Sequence, residues 1–254
     1  MRGDDRLVRA PSGGGPFRKG GTHGAPRPSQ PAWQPLATLN PQVTLWPMTV
    51  QRPYHHGNLR DAVLEAARTM VAREGTAGLS LRALAREVGV SHPALYNHFA
   101  DREALLAELS TEALLALGRS QRAALAKSST PIDGIVRLGA AYFRFGVSDP
   151  GRLRLAFAPE CARSGGFPGL RAAADAAEAP VIEAVTRAAN DGLLPHGEIR
   201  PRALAQWALV HGFTLLAIDG RLTEGKLSVS GLGIAALQRL LADSVRLLYS
   251  SRAP

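Results

Sequence analysis

Residues Ser80–Arg102 read SLRALAREVGVSHPALYNHFADR, and this stretch decides the fold. Ser80 can cap a helix, and Leu81, Leu84, Ala85 and Val88 follow at the spacing of one helical face. Gly89 breaks that helix. Ser91 caps a second, short one, with Pro93 in its first turn, where a missing N–H costs nothing. Leu95 and Phe99, four apart, face inward. Ala85 is small enough to let the second helix pack closely, Gly89 supports a left-handed turn, and Leu95 fills the space between them. These are the mechanics of a helix-turn-helix, whose second helix enters the major groove of DNA. Helix-Gly-helix corners also occur in ordinary bundles, so the pattern alone leaves both readings open.

Outward from this stretch, every patterned segment predicts helix. Upstream, Asn58 can cap a helix carrying Leu59, Val63, Ala66, Ala67 and Met70 on one face, and Gly75 ends it. Downstream, Asp101 caps a helix with Leu105, Leu106, Leu109 and Leu117. Ser128-Ser129-Thr130-Pro131 opens another with Ile135, Leu138, Tyr142 and Phe143, and Asp149-Pro150-Gly151 ends that one and starts a short one through Phe157. A Gly/Pro-rich loop over 159–168 leads into a helix to Asn190, expected to kink or break at Pro180. Pro201 starts a helix with Leu204, Trp207 and His211, and Leu232–Ser250 forms the last. No alternating strand pattern and no internal repeat occurs. The fold class is all-α.

Composition agrees and excludes. The 254 residues are 45% hydrophobic and only 6% aromatic, enough for a core and poor in strand formers. A single cysteine, Cys161, rules out an intrachain disulfide framework and a cysteine zinc cluster, and fits a reducing, cytoplasmic setting. No run of about 18 apolar residues is present, so no membrane span is expected. The net charge of +9 is unevenly placed. Residues 1–53 hold seven Lys/Arg against two Asp/Glu, with nine prolines and seven glycines, and are expected to be a disordered tail. Met48, just ahead of the first patterned segment, is an alternative translation start. Residues 54–102 hold six basic residues against five acidic, so any field felt by DNA must come from their placement.

The run from Tyr54 to Leu106 closely resembles the DNA-binding domain of the tetracycline-repressor (TetR) family. The resemblance is carried by Arg73-Glu74-Gly75, by Leu79–Ala85, by Val88-Gly89-Val90-Ser91, by Ala94-Leu95-Tyr96-Asn97-His98-Phe99 and by Asp101–Leu105. Trp207-x-x-x-His211-Gly212 resembles the W-H-G motif that names one subgroup of TetR-type C-terminal domains, and Ala141–Phe157 is similar to the same subgroup's middle portion. The resemblance implies a three-helix DNA-binding domain over 54–102 and a larger effector-binding and dimerising domain over 103–254. It further implies a homodimer held by the last two long helices, about 201–221 and 232–250. The partner would be double-stranded DNA, as a near-palindromic operator released when a small-molecule effector binds, most often as a repressor. The alternative is a helical sensor of a ligand or protein with a non-functional DNA-binding domain.

Several residues can be given roles on this footing. Ser91, His92, Pro93 and Ala94 begin the recognition helix; His92 can donate to guanine, and Pro93 and Ala94 offer apolar surface to a thymine methyl. Arg82 matches a family position that touches a base or the backbone. Ser80, Tyr96, His98 and Arg102 match phosphate-contacting positions, and Asn97 suits either role. Tyr96 can also pack on the first helix, and His98 can be a capped surface histidine. Arg52, His55 and His56 would form an N-terminal arm. So few cations require two copies of the module for tight binding. Helices near 103–126, 132–148 and 170–190 are expected to line the effector cavity, with Tyr142, Phe143, Phe157, Trp207 and His211 as its wall residues. This wall favours a hydrophobic or amphipathic ligand. Trp207 and His211, four apart, serve equally as core or interface packing. No metal is expected, because His55-His56 are adjacent and His92 and His98 are six apart, so neither pair shares a helix face. Gly231-Leu-Gly233 lacks the preceding strand of a dinucleotide site and reads as a loop. No cofactor, nucleophile elbow or catalytic dyad is visible, so no enzyme is expected.

Overall fold

The computed structural model describes residues 59–158, 167–223 and 228–250. These residues form nine α-helices and no strand. In chain order the helices are α1 Leu59–Glu74, α2 Leu81–Val88, α3 His92–Tyr96, α4 Arg102–Leu125, α5 Pro131–Ser148, α6 Pro150–Ala156, α7 Pro168–Asn190, α8 Ile199–Ile218 and α9 Ile234–Tyr249. The tail over 1–53, the start at Met48, the arm of Arg52, His55 and His56, the cap at Asn58 and Cys161 lie outside the described residues.

Local chemistry sets most of the boundaries. Ser80, Asp101, Thr130 and Asp149 each accept a backbone N–H at a helix start, which satisfies a donor the helix cannot. Ser91 precedes α3 without making such a bond. Helix α8 starts at Ile199, two residues ahead of the expected Pro201. Pro201 still sits in the first turn, where its absent N–H has no helical partner to lose. The expected break at Pro180 does not occur: α7 is one helix with Pro180 buried inside it. Proline removes the bond to the carbonyl four residues back, that of Ala176. Gly118 of α4 lies against that carbonyl, so close that a Cβ there would stand 3.2 Å from the Ala176 oxygen. Packing against α4 therefore holds the helix through its weak point.

Two apolar cores stack along α4. The first gathers Val63 and Ala67 of α1, Leu84 of α2, Leu95 of α3 and Leu105, Leu106 and Leu109 of α4, and extends to Leu155 of α6 and Ala173 of α7. The second joins Leu117 of α4 to Ile135 and Leu138 of α5, Val185 of α7, Val210 of α8 and Leu241 and Val245 of α9. Helix α4, about 36 Å long at 1.5 Å per residue, belongs to both. Phe157, just past α6, also packs against both.

Candidate nucleic-acid interface and effector core

The helix-turn-helix is built from its turn outward. Gly89 has φ +78°, a left-handed conformation that L side chains avoid. Its N–H and that of Val90 both return to the Ala85 carbonyl, which closes the end of α2. Leu95 and Phe99 are buried beneath α3, with the Arg60 guanidinium 5.7 Å from the Phe99 ring centre. Burying them turns the other face outward. Ser80, Arg82, Ser91, His92, Pro93, Tyr96, Asn97 and His98 are all exposed. Tyr96 is 49% exposed, and the His92 ring meets it edge-on at 5.1 Å, as expected for residues four apart on a helix.

Two of the ten residues assigned to DNA are placed differently. Ala94 is half-buried and packs on the first core. Arg102 is half-buried, and its guanidinium donates to the carbonyls of Leu79 and Thr76, tying the start of α4 to the turn before α2. Arg82 and Arg86 behave otherwise. Arg60 pairs with Glu108, Arg68 with Glu65 and Glu112, and Arg73 with Glu74. That leaves Arg82 and Arg86, both exposed on α2, without an ion pair among the described residues. The small net charge of this module thus conceals two guanidiniums on α2 that have no ion pair among the described residues.

In the larger part of the chain, four of the five expected wall residues meet. The Tyr142 hydroxyl and His211 Nδ1 are hydrogen-bonded at 2.6 Å. Phe157 lies 4.9 Å from the His211 ring, 6.0 Å from Trp207 and 6.1 Å from Tyr142. Burial pushes the Tyr142 phenol up from its usual value, and the Trp207 side chain, hydrogen-bonded to it, holds that rise back. Burial also lowers the His211 pKa from its ordinary value, which favours the neutral ring. Phe143 does not join this cluster. Consecutive helical residues point about 100° apart, and Phe143 is fully buried against Phe213 instead, at 5.9 Å.

Helix α6 connects this cluster to the helices that carry α3. Ser110 of α4 donates to the Leu155 carbonyl at 2.7 Å inside the core. Gly151 lies so near α1 that a Cβ on it would stand 3.1 Å from the Ala72 Cα. The sequence alone did not single out Ser110 or Gln121, and it read Gly151 only as part of a helix start. Gln121 is 4% exposed, and its Oε1 finds no hydrogen-bond partner among the described residues. The available signal was register: Gln121 stands four residues from both Leu117 and Leu125, a polar residue at a core position of α4. No cluster of three or more His, Cys, Asp or Glu able to hold a metal occurs among the described residues, and none of their helices is long and apolar enough to cross a membrane.

Comparison with known proteins places this geometry. Residues 63–109 match the family model described as bacterial regulatory proteins, tetR family. Residues 135–241 match the tetracyclin repressor-like C-terminal domain, a stretch that includes Trp207, His211 and Gly212. The chain is 30% identical over 165 residues to the HTH-type transcriptional regulator Rv0681 of Mycobacterium tuberculosis, covering 63% of this chain and 71% of that one. A protein from Rhodococcus sp. RHA1 is similar in structure, with TM-score 0.65 and 31% identity over 79% of this chain and all of that one. The fold is also that of AibR, solved with isovaleryl coenzyme A and operator DNA, at TM-score 0.56 and 16% identity over 75% of this chain and 97% of AibR. With α1 to α3 on one core, α2 and α3 forming its helix-turn-helix, and α4 to α9 closing the second core, the chain belongs to the tetR family of bacterial regulatory proteins.

Proposed function

We propose that the chain acts as a homodimeric transcriptional repressor released from its operator by a small effector. Residues 54–102 read DNA, and residues 103–254 hold the effector and the second subunit. The observation that carries this reading is Phe157, which packs on the Tyr142, Trp207 and His211 rings at one side and on the core of the DNA-reading helices at the other. A ligand that displaces the aromatic cluster moves Phe157, and with it α6, which Gly151 keeps against α1. The two recognition helices of a dimer then lose the spacing of successive major grooves. Ligand and DNA oppose each other reciprocally.

Dimerisation is supported by α8 and α9. Leu204, Trp207 and Leu216 of α8 and Leu240 and Leu247 of α9 are exposed, with Leu247 at 74%. An apolar surface of this kind marks an interface. The small residues Ala205, Ala208 and Gly212 allow a partner helix to approach closely. The apolar and aromatic wall suits a hydrophobic or amphipathic effector. Isovaleryl coenzyme A, the ligand of AibR, is the first probe.

The test is a gel shift with the DNA upstream of the chain's own gene. His92→Ala and Tyr96→Ala should each weaken binding about tenfold, within the range of single recognition contacts. Leu204→Glu with Leu247→Glu should give monomers by light scattering and lose the shift. Unaltered binding in both recognition-helix variants would reject DNA reading by α3.

A further inference from the structure

A groove between α4, α5 and α9 carries a charge pattern that neither the DNA-reading surface nor the aromatic cluster explains. It encloses about 400 Å³, within the range of about 300–1,000 Å³ typical of small-molecule sites. Every titratable side chain on its wall is a cation: Lys127 after α4, Arg137 and Arg144 on α5, and Arg239 on α9. Asp133 neutralises Arg137 at 2.7 Å. Lys127, Arg144 and Arg239 make no ion pair among the described residues. Val136, Ala140 and Ala242 supply an apolar wall alongside them. Like charges brought together on a low-dielectric wall create a field that attracts a compact anion.

Position excludes the functions already assigned. Lys127 follows the far end of α4, about 37 Å along the axis from Arg102, so DNA held by α3 does not reach it. On α5, Val136, Ala140 and Arg144 repeat at helical spacing on the face opposite Tyr142. On α9, Gln238 and Ala242 share a face that Leu240 and Leu247 do not.

We infer that this groove binds a phosphate-bearing small molecule of nucleotide size. Lys127, Arg144 and Arg239 take the phosphates, and Val136, Ala140 and Ala242 take its flat apolar part. Guanidiniums suit this task because their fork matches two phosphate oxygens at once.

The experiment is isothermal titration of the full chain with ADP, pyrophosphate and adenosine. ADP and pyrophosphate should bind saturably and more weakly at higher salt, while adenosine gives no heat. Arg144→Gln with Arg239→Gln should lower ADP affinity about tenfold or more, with an unchanged melting temperature. No ADP binding to the wild-type chain, equal binding in the folded double variant, or adenosine binding as tightly as ADP would each overturn the proposal.

Discussion

The Tyr142 hydroxyl and His211 Nδ1 stand 2.6 Å apart, joining α5 to α8 in the middle of the aromatic cluster. The burial of His211 makes stability depend on pH. Burial depresses the His211 pKa below its ordinary value, near 6.5. The folded chain therefore binds fewer protons there than the unfolded chain. The stability from the neutral ring is present above about pH 6.5 and is lost as pH falls through the lower, folded value. Melting temperatures measured from pH 8 to pH 5 should fall in this window, and His211→Gln should flatten that part of the curve. An identical slope in the variant would refute the role of His211.

Arg102 should behave as a structural residue. Its guanidinium donates to the Leu79 and Thr76 carbonyls. Loss of charge-assisted bonds to partly buried carbonyls costs about 2 kcal/mol. Arg102→Ala should lower the melting temperature, whereas Arg82→Ala, at an exposed position, should leave it unchanged and weaken operator binding. If Arg102→Ala weakens operator binding with no change in melting, Arg102 is a phosphate ligand after all.

The contact of Gly151 with Ala72 predicts a steric series. One added Cβ would stand 3.1 Å from the Ala72 Cα and 3.2 Å from its Cβ, so α6 must yield slightly. Gly151→Ala should cost little, and Gly151→Val about 1–3 kcal/mol by overpacking. Chemical denaturation of the two variants reads the difference; a Val variant as stable as wild type would show that α6 is not held here.

Gln121 predicts a gain. Its buried, unpartnered Oε1 carries a desolvation penalty of about 1–3 kcal/mol. Gln121→Leu, similar in size, should raise the melting temperature. A fall would show that the amide has a partner in solution.

Much of the fold was legible because its determinants are local. Capping by Ser80 and Asp101, the left-handed turn at Gly89 and the period of Leu81, Leu84 and Ala85 all act within one or two helical turns. The exposed side of α3 followed from the same period, since placing Leu95 and Phe99 inward turns His92, Tyr96 and Asn97 outward. Of the two outcomes expected at Pro180, a kink or a break, local chemistry overstated the break. The close approach of Gly118, 62 positions away in sequence, is invisible to periodicity.

By itself, then, the sequence determined an all-helical fold class, its helix-turn-helix and the residue types of the aromatic cluster. Only the tertiary structure decided how those residues are used. It brought Tyr142, Phe157, Trp207 and His211 together and turned Phe143 toward Phe213. It fixed Arg102 on two carbonyls and left Arg82 and Arg86 without ion partners among the described residues. It also gathered Lys127, Arg144 and Arg239 around one groove. The reason is physical: capping and period are set by neighbours along the chain, whereas the partner of a charge or a ring is set by which distant helix packs against it.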